Sequence, residues 1–335
     1  MPIEALYYEK LRDKIVQCHL CPKKCIIKPD KFGNCNARQN IKGRLYSLVY
    51  GNLCSISIDP IEKKPLFHFM PGQQVFSIGT TGCNLHCQFC QNWTTSQIKP
   101  DTKAKKFTPK QVVKEAIDSG CGIIAYTYNE PIIFYEFVLE TAKLAKKKGI
   151  KNVIVCNGFI NEEPLKELLP YLDAANIDLK SFEDRFYKEI CDAWIQPVLN
   201  TLKMIHQSDT LLEITNLIIP KLNDNMEKID EMCKWISSNL GNDVPLHFSA
   251  FYPCYQMEHL PPTSAEILLE AKKIAERNKL NYVYIGNLQL ENQGNTYCPK
   301  CNQLLIERAQ FNISQNNISN GKCKFCKQEI NGVWD

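Results

Sequence analysis

The chain has 335 residues, 44% of them apolar, enough for one large α/β domain with small appendages or for two ordinary domains. Forty basic residues against thirty-six acidic ones leave +4, too mild a balance to point to nucleic acid. The stretch from Met1 to Gln17 is charged and not a secretory leader, and no apolar run nears the roughly 20 residues of a membrane span, so a soluble cytoplasmic protein is expected.

The first feature in chain order is a set of four cysteines, Cys18, Cys21, Cys25 and Cys35. The chain carries seventeen cysteines, and in a reducing compartment clustered thiols point to metal or catalysis rather than disulfides. Four thiolates accept zinc and iron–sulfur alike, so zinc and an auxiliary cluster both fit here. The run from Asp59 to Gly72 holds Glu62, Lys63, Lys64 and His68 among three prolines. It reads as an ordered loop leading into the first strand, a tether or else a substrate contact. The scattered Cys54, Cys121, Cys156, Cys191, Cys233 and Cys254 read as small buried hydrophobes.

From about residue 74 to 290, short β-branched runs alternate with helical patterns. Strands are expected at Val75–Gly79, Gly122–Tyr126, Asn152–Cys156, Ala174–Leu179, Leu211–Ile218, Leu246–Phe251 and Tyr282–Ile285. Helices are expected at Pro109–Ser119, Ile133–Lys148, Glu162–Leu169, Met226–Asn239 and Ser264–Asn278. Thr108 followed by Pro109 is a helix start, and Gly149 after a lysine-rich turn is a helix stop. The basic runs Lys103–Lys106 and Lys146–Lys148 read as solvated faces. Such alternation predicts a parallel sheet with helical crossovers, either a full or partial barrel or an open doubly wound sheet. In both, ligands bind at the C-terminal ends of the strands.

The loop leaving the first of these strands carries Cys83-x3-Cys87-x2-Cys90, with Gly79 and Gly82 permitting a tight turn. Three thiolates on one short loop suit a 4Fe–4S cube whose fourth iron has no protein ligand. The competing reading is a zinc knuckle lacking its fourth ligand, which His86 would supply awkwardly. Near the C-terminus, Cys298-x2-Cys301 and Cys323-x2-Cys326 have the pattern of a closed, structural zinc ribbon, and a rubredoxin-like iron would use the same ligands.

Taken with Asp59–Gly72, Tyr126–Pro131 and the two outer cysteine sets, the central motif resembles the radical S-adenosylmethionine (SAM) superfamily over nearly the whole chain. Within it the chain is similar to the pyruvate formate-lyase activating enzymes, and most of all to the radical SAM enzyme of the AmmeMemoRadiSam system. The resemblance implies a partial (β/α)6 barrel across 73–292, between a cysteine-rich N-terminal segment (1–72) and a zinc-ribbon-like lobe (293–335). It implies a 4Fe–4S cluster and SAM as cofactors, and a low-potential electron donor such as ferredoxin or flavodoxin. A protein or peptide substrate, a glycyl-radical partner among them, and Memo-like and AMMECR-like partners follow by the same analogy. The alternative of another class is a non-catalytic module of metal-binding lobes on a scaffold barrel.

The resemblance also assigns cofactor contacts. Phe89 would pack on adenine and Glu130 would accept from the SAM ammonium, with Asn129 beside it among the cofactor contacts; Tyr128 and Asn129 stand where the family carries glycines. Asn157 stands where activating enzymes have Asp-Thr-Asn-Gly; here the sequence is Val-Cys-Asn-Gly and the aspartate is missing. Asp178 and Lys180 match the family's Asp-Leu-Lys and would bind ribose and carboxylate, with Asn216 as a second ribose contact. Tyr252 substitutes for an adenine-contacting histidine that does not occur between Phe248 and Glu258.

Overall fold

The computed structural model describes residues 2–101 and 106–334, so all of the first basic run but Lys106 lies outside the described residues. Its centre is an eight-stranded sheet in which the strands lie in sequence order. The strands are β1 (Leu53–Pro60), β2 (Gln74–Thr80), β3 (Ile123–Tyr126), β4 (Lys151–Cys156), β5 (Ala174–Asp178), β6 (Leu211–Ile218), β7 (Leu246–Ala250) and β8 (Val283–Gly286). From β2 to β8 every pairing is parallel, and β1 adds an antiparallel edge beside β2. All seven expected strands are therefore present, giving one more parallel strand than the six of the family label. The sheet also takes in β1, from within the segment expected to precede the barrel.

Helices α1 (Pro109–Asp118), α2 (Tyr135–Lys147), α3 (Glu162–Leu168), α4 (Asp184–Ile190), α5 (Ile195–His206), α6 (Met226–Leu240) and α7 (Ala265–Arg277) make the crossovers. Local chemistry sets their ends. Thr108 and Gln111 form a reciprocal capping box before α1, while Asn225 and Ser264 cap α6 and α7. Gly149, at φ +74°, turns the chain after the lysine-rich end of α2. Ile133 and Phe134, expected as the start of α2, belong instead to a separate 3-10 turn, Pro131–Phe134. The sequence pattern did not pick out α4 and α5.

The Asp59–Gly72 run is a strap through the far end of the sheet from the strand C-termini. Ile61, Leu66 and Phe69 are fully buried against Val75, Ile123, Ala125, Val153 and Ala174. The C-terminal lobe closes over it: Arg308 donates to the Phe67 carbonyl (2.7 Å), and the His68 carbonyl accepts from Val333 N (2.8 Å). The His68 ring is buried between the Asn331 carbonyl (2.6 Å from Nδ1) and the Tyr284 hydroxyl (2.7 Å from Nε2). A neutral ring satisfies both, with Nδ1–H donating and Nε2 accepting.

Burial holds the His68 imidazole down to about 4. With the folded value below the unfolded 6.5, the unfolded chain binds the extra proton first, so the stability His68 contributes is lost as pH falls from 6.5 toward 4. That loss amounts to roughly 3 kcal/mol. In pH-dependent urea unfolding, His68→Gln should start less stable and decline less over this interval; parallel curves would refute it.

Candidate functional site

A cavity of about 350 Å³ opens at the C-terminal ends of the strands. The loop after β2 supplies Cys83, Cys87, Phe89 and Cys90, while the ends of β3, β4 and β5 supply Asn129, Glu130, Asn157, Asp178 and Lys180. Nine of the predicted residues thus meet at one place. Asn216 and Tyr252 are not brought to it. Asn216 is buried with Nδ2 on the Leu179 carbonyl (2.7 Å), and its neighbours Thr215 and Leu217 face the cavity instead, as strand alternation requires. Tyr252 is exposed, with its hydroxyl donating to the Asn287 carbonyl (2.9 Å).

The loop is shaped by close approach. Gly82 sits at φ +98°, and a Cβ there would lie 2.6 Å from the Cys35 carbonyl oxygen. Gly79 is not in the turn but within β2, where a Cβ would meet the Thr127 carbonyl at 2.7 Å. The sulfurs are already in polar company, with Cys83 Sγ 3.4 Å from Leu85 N and Cys90 Sγ 3.2 Å from the Ser96 hydroxyl. The neighbouring Cys191 thiol, and after it Lys180, pull the Cys87 thiol down against burial. Burial pushes Cys83 well up. Three thiols on one wall of a roomy cavity, with an N–H on one sulfur and a cation near another, fit a cluster held by three cysteines with one open iron.

Glu130 is almost wholly buried at the cavity wall. Its Oε2 accepts from Asn157 N (2.9 Å) and its Oε1 from Ile132 N (3.0 Å), so it caps the 3-10 turn after β3 and still borders the open space. Burial lifts its carboxyl to about 7 against these two donors. Asp178 and Lys180 form an ion pair at 2.9 Å. Burial opposes the lysine's charge, yet Asp178, Cys87 and Cys191 hold it well above the usual lysine value. Phe89 is buried, with the Lys180 ammonium 5.8 Å from its ring centre. Asn129 bonds the Thr80 carbonyl (2.5 Å) and the Thr95 hydroxyl.

Two thiols read as small buried hydrophobes lie at or near the cavity: Cys156 borders it, and Cys191 is fully buried beside Cys87. The strap, read as a tether or else a substrate contact, brings Lys63, Lys64 and Pro65 to the lining. Lys64 is buried and pairs with Asp59 (2.6 Å), which also accepts from Lys63 (2.8 Å) and from the Tyr128 hydroxyl (2.5 Å). Tyr128 takes φ +71°, a left-handed conformation that favours glycine. Its cost, of order 1–3 kcal/mol, is offset by the anchor on Asp59.

Two further cysteine groups lie outside this cavity. The four C-terminal thiols lie within 4.8 Å of one another, with Sγ pairs at 3.5 and 3.8 Å, matching the ~3.8 Å edge of a tetrahedron of thiolates about 2.3 Å from zinc. Cys18, Cys21, Cys25 and Cys35 border a separate cavity of about 20 Å³.

The family model for the radical SAM superfamily matches residues 77–236. An uncharacterized protein of Methanocaldococcus jannaschii is 46% identical over 333 residues, covering 98% of this chain and 99% of its own length. A pyruvate formate-lyase-activating enzyme of Listeria monocytogenes is 24% identical over 221 residues, covering 60% of this chain and 89% of that one. A radical SAM methyltransferase of Sphaerobacter thermophilus shares the fold alone, with a TM-score of 0.51 and 13% identity across 65% of this chain and 67% of its own. No helix among the described residues is long and apolar enough to cross a membrane.

Proposed function

Because this chain belongs to the radical SAM superfamily, we propose that it cleaves SAM reductively and uses the product to abstract hydrogen from a protein or peptide substrate. Cys83, Cys87 and Cys90 would hold a 4Fe–4S cluster; with SAM bound, that group supplies a 5′-deoxyadenosyl radical. The chain's own part is to bind, orient and exclude water. Glu130 receives the ammonium of SAM, and Lys180, kept cationic by Asp178, receives its carboxylate. Phe89 packs on the adenine, while Asn129, bonded to the Thr80 carbonyl, and Asn157, accepting from Phe159 N, fix the backbone around the ligand. The single observation that carries this reading is the convergence of three loop thiols, a carboxylate and a lysine on one cavity at the strand ends.

The likeness to activating enzymes favours a polypeptide substrate and, in its narrower form, a glycyl-radical partner. The AmmeMemoRadiSam likeness, with its Memo-like and AMMECR-like partners, belongs to the same proposal, as does a ferredoxin or flavodoxin donor. Zinc is proposed at Cys298, Cys301, Cys323 and Cys326, and a further metal site, zinc or iron–sulfur, at the N-terminal cysteines.

The test is anaerobic reconstitution with iron and sulfide, addition of SAM and dithionite, and measurement of 5′-deoxyadenosine. Wild type should form it and Cys87→Ala should fall to background. Equal yields from the two would sink the assignment.

A further inference from the structure

We infer that Cys18, Cys21, Cys25 and Cys35 hold a second iron–sulfur cluster rather than zinc, and that electrons reach the SAM site through it. The inference rests on the assignment of the first cluster to Cys83, Cys87 and Cys90.

The two four-cysteine groups of this chain differ in spacing. At the C-terminal group the sulfurs touch, at 3.5 and 3.8 Å, and leave no room between them for more than one ion. The N-terminal four instead surround a void, walled otherwise by Leu20, Ile27, Ile132 and Ile133. A space that admits a water-sized sphere keeps each bordering sulfur ~3 Å or more from the sphere's centre, whereas zinc sits about 2.3 Å from its thiolates. A cube of iron and sulfide needs that wider cage. The surroundings suit one: Asn34 N lies 3.4 Å from Cys25 Sγ and the Arg38 guanidinium 3.7 Å from Cys18 Sγ. Hydrogen bonds to sulfur and a buried cation both stabilise a cluster carrying net negative charge. Arg38 is itself 1% exposed and pairs with the buried Glu136 carboxylate, while its Nε has no partner among the described groups and its Nη1 approaches the sulfur.

The position gives the group its role. Four thiolates saturate the four irons, so no open iron remains to bind a substrate. The SAM loop crosses directly over this cage, with Gly82 against the Cys35 carbonyl, His86 Nε2 2.8 Å from Asn34 Oδ1, and Asn84 bordering the void next to Cys83. The SAM cavity has to exclude water while a radical is present, so an electron is better delivered from behind the loop than through the mouth. Lys24, Ile26 and Lys28 are exposed around the partly buried Cys25, an accessible edge for a protein donor. One electron passes from a low-potential one-electron donor, which is oxidised, to the N-terminal cluster, and from there to the SAM-binding one.

The test uses the full chain with Cys83→Ala, Cys87→Ala and Cys90→Ala combined, reconstituted without air. It should retain about four irons per chain and, on reduction, an electron paramagnetic resonance signal that SAM does not alter; adding Cys21→Ala and Cys35→Ala should remove the iron. Zinc in place of iron in the triple variant would overturn the inference. If that variant does not fold, wild type decides: about eight irons with one zinc supports the second cluster, and about four irons with two zincs refutes it. For the route, Cys21→Ala with Cys35→Ala should slow SAM cleavage driven by reduced flavodoxin more than cleavage driven by dithionite, and equal slowing would refute it. Wild type that holds the SAM-indifferent cluster yet never cleaves SAM would sink the enzymatic reading and leave the second cluster standing.

Discussion

Glu130→Gln is expected to weaken SAM binding about 10- to 100-fold, the effect of losing 1.5–3 kcal/mol in a hydrogen bond to a charged group. The carboxylate has two oxygens, each already accepting one backbone N–H, and both retain lone pairs toward the cavity. Glutamine keeps the volume but has one acceptor oxygen, so either Ile132 N or Asn157 N loses its partner and the ligand ammonium loses its counter-charge. Equilibrium dialysis with labelled SAM measures the change, and a Kd within twofold of wild type would remove Glu130 from the ligand site.

The same residue should make SAM binding depend on pH. With its carboxyl lifted by burial to about 7, Glu130 is largely neutral at pH 6 and ionised at pH 8, so affinity for a cationic amine should rise across that interval. Stability of the empty protein should move the other way. A folded value above the unfolded 4.5 means that the native state holds the extra proton between these two values, and this contribution is lost as pH rises through 7. Glu130→Gln should flatten both trends.

Which of these features the sequence displays depends on how far apart the interacting residues are. Thr108 and Gly149 act within a turn of their own element, so spacing and residue type suffice to find them, whereas the strand-end residues Glu130, Asn157, Asp178 and Lys180 come from the family resemblance, since Glu130 meets Asn157 across 27 residues. The Cys83–Cys90 loop is local in the same sense. Cys191 is not: only the packing of α4 under the loop brings it to Cys87. The Asp59–Lys64–Tyr128 anchor joins strap to strand end across more than sixty residues, and nothing in either segment names the other. Asn216 shows a different limit. Strand β6 is buried on both faces, so its apolar run does not reveal which parity faces the cavity, and a one-residue choice of face decides between Asn216 and its neighbours.

The strap also links the distant C-terminal cysteine group to the cavity, and with zinc held there as proposed this coupling predicts a large effect. Cys323→Ser should release the C-terminal metal, which for a small zinc lobe amounts to on the order of 10 kcal/mol of folding free energy at neutral pH. Loss of the lobe would withdraw Arg308 from the Phe67 carbonyl and from Glu62, which is fully buried, and would remove the Asn331 and Val333 contacts to His68. A buried acid that loses its cation typically costs 3–5 kcal/mol, and Glu62 lies next to Lys63 and Lys64 on the cavity floor. Cys323→Ser should therefore lower the melting temperature of the whole chain and weaken SAM binding at least about tenfold, ~1.4 kcal/mol, although the substitution is in a separate lobe. Zinc analysis, calorimetry and SAM dialysis on one preparation test the chain of cause. Zinc loss with an unshifted main transition and unchanged SAM affinity would mean that the strap holds its shape without the lobe, and that the lobe's metal serves a contact outside this chain.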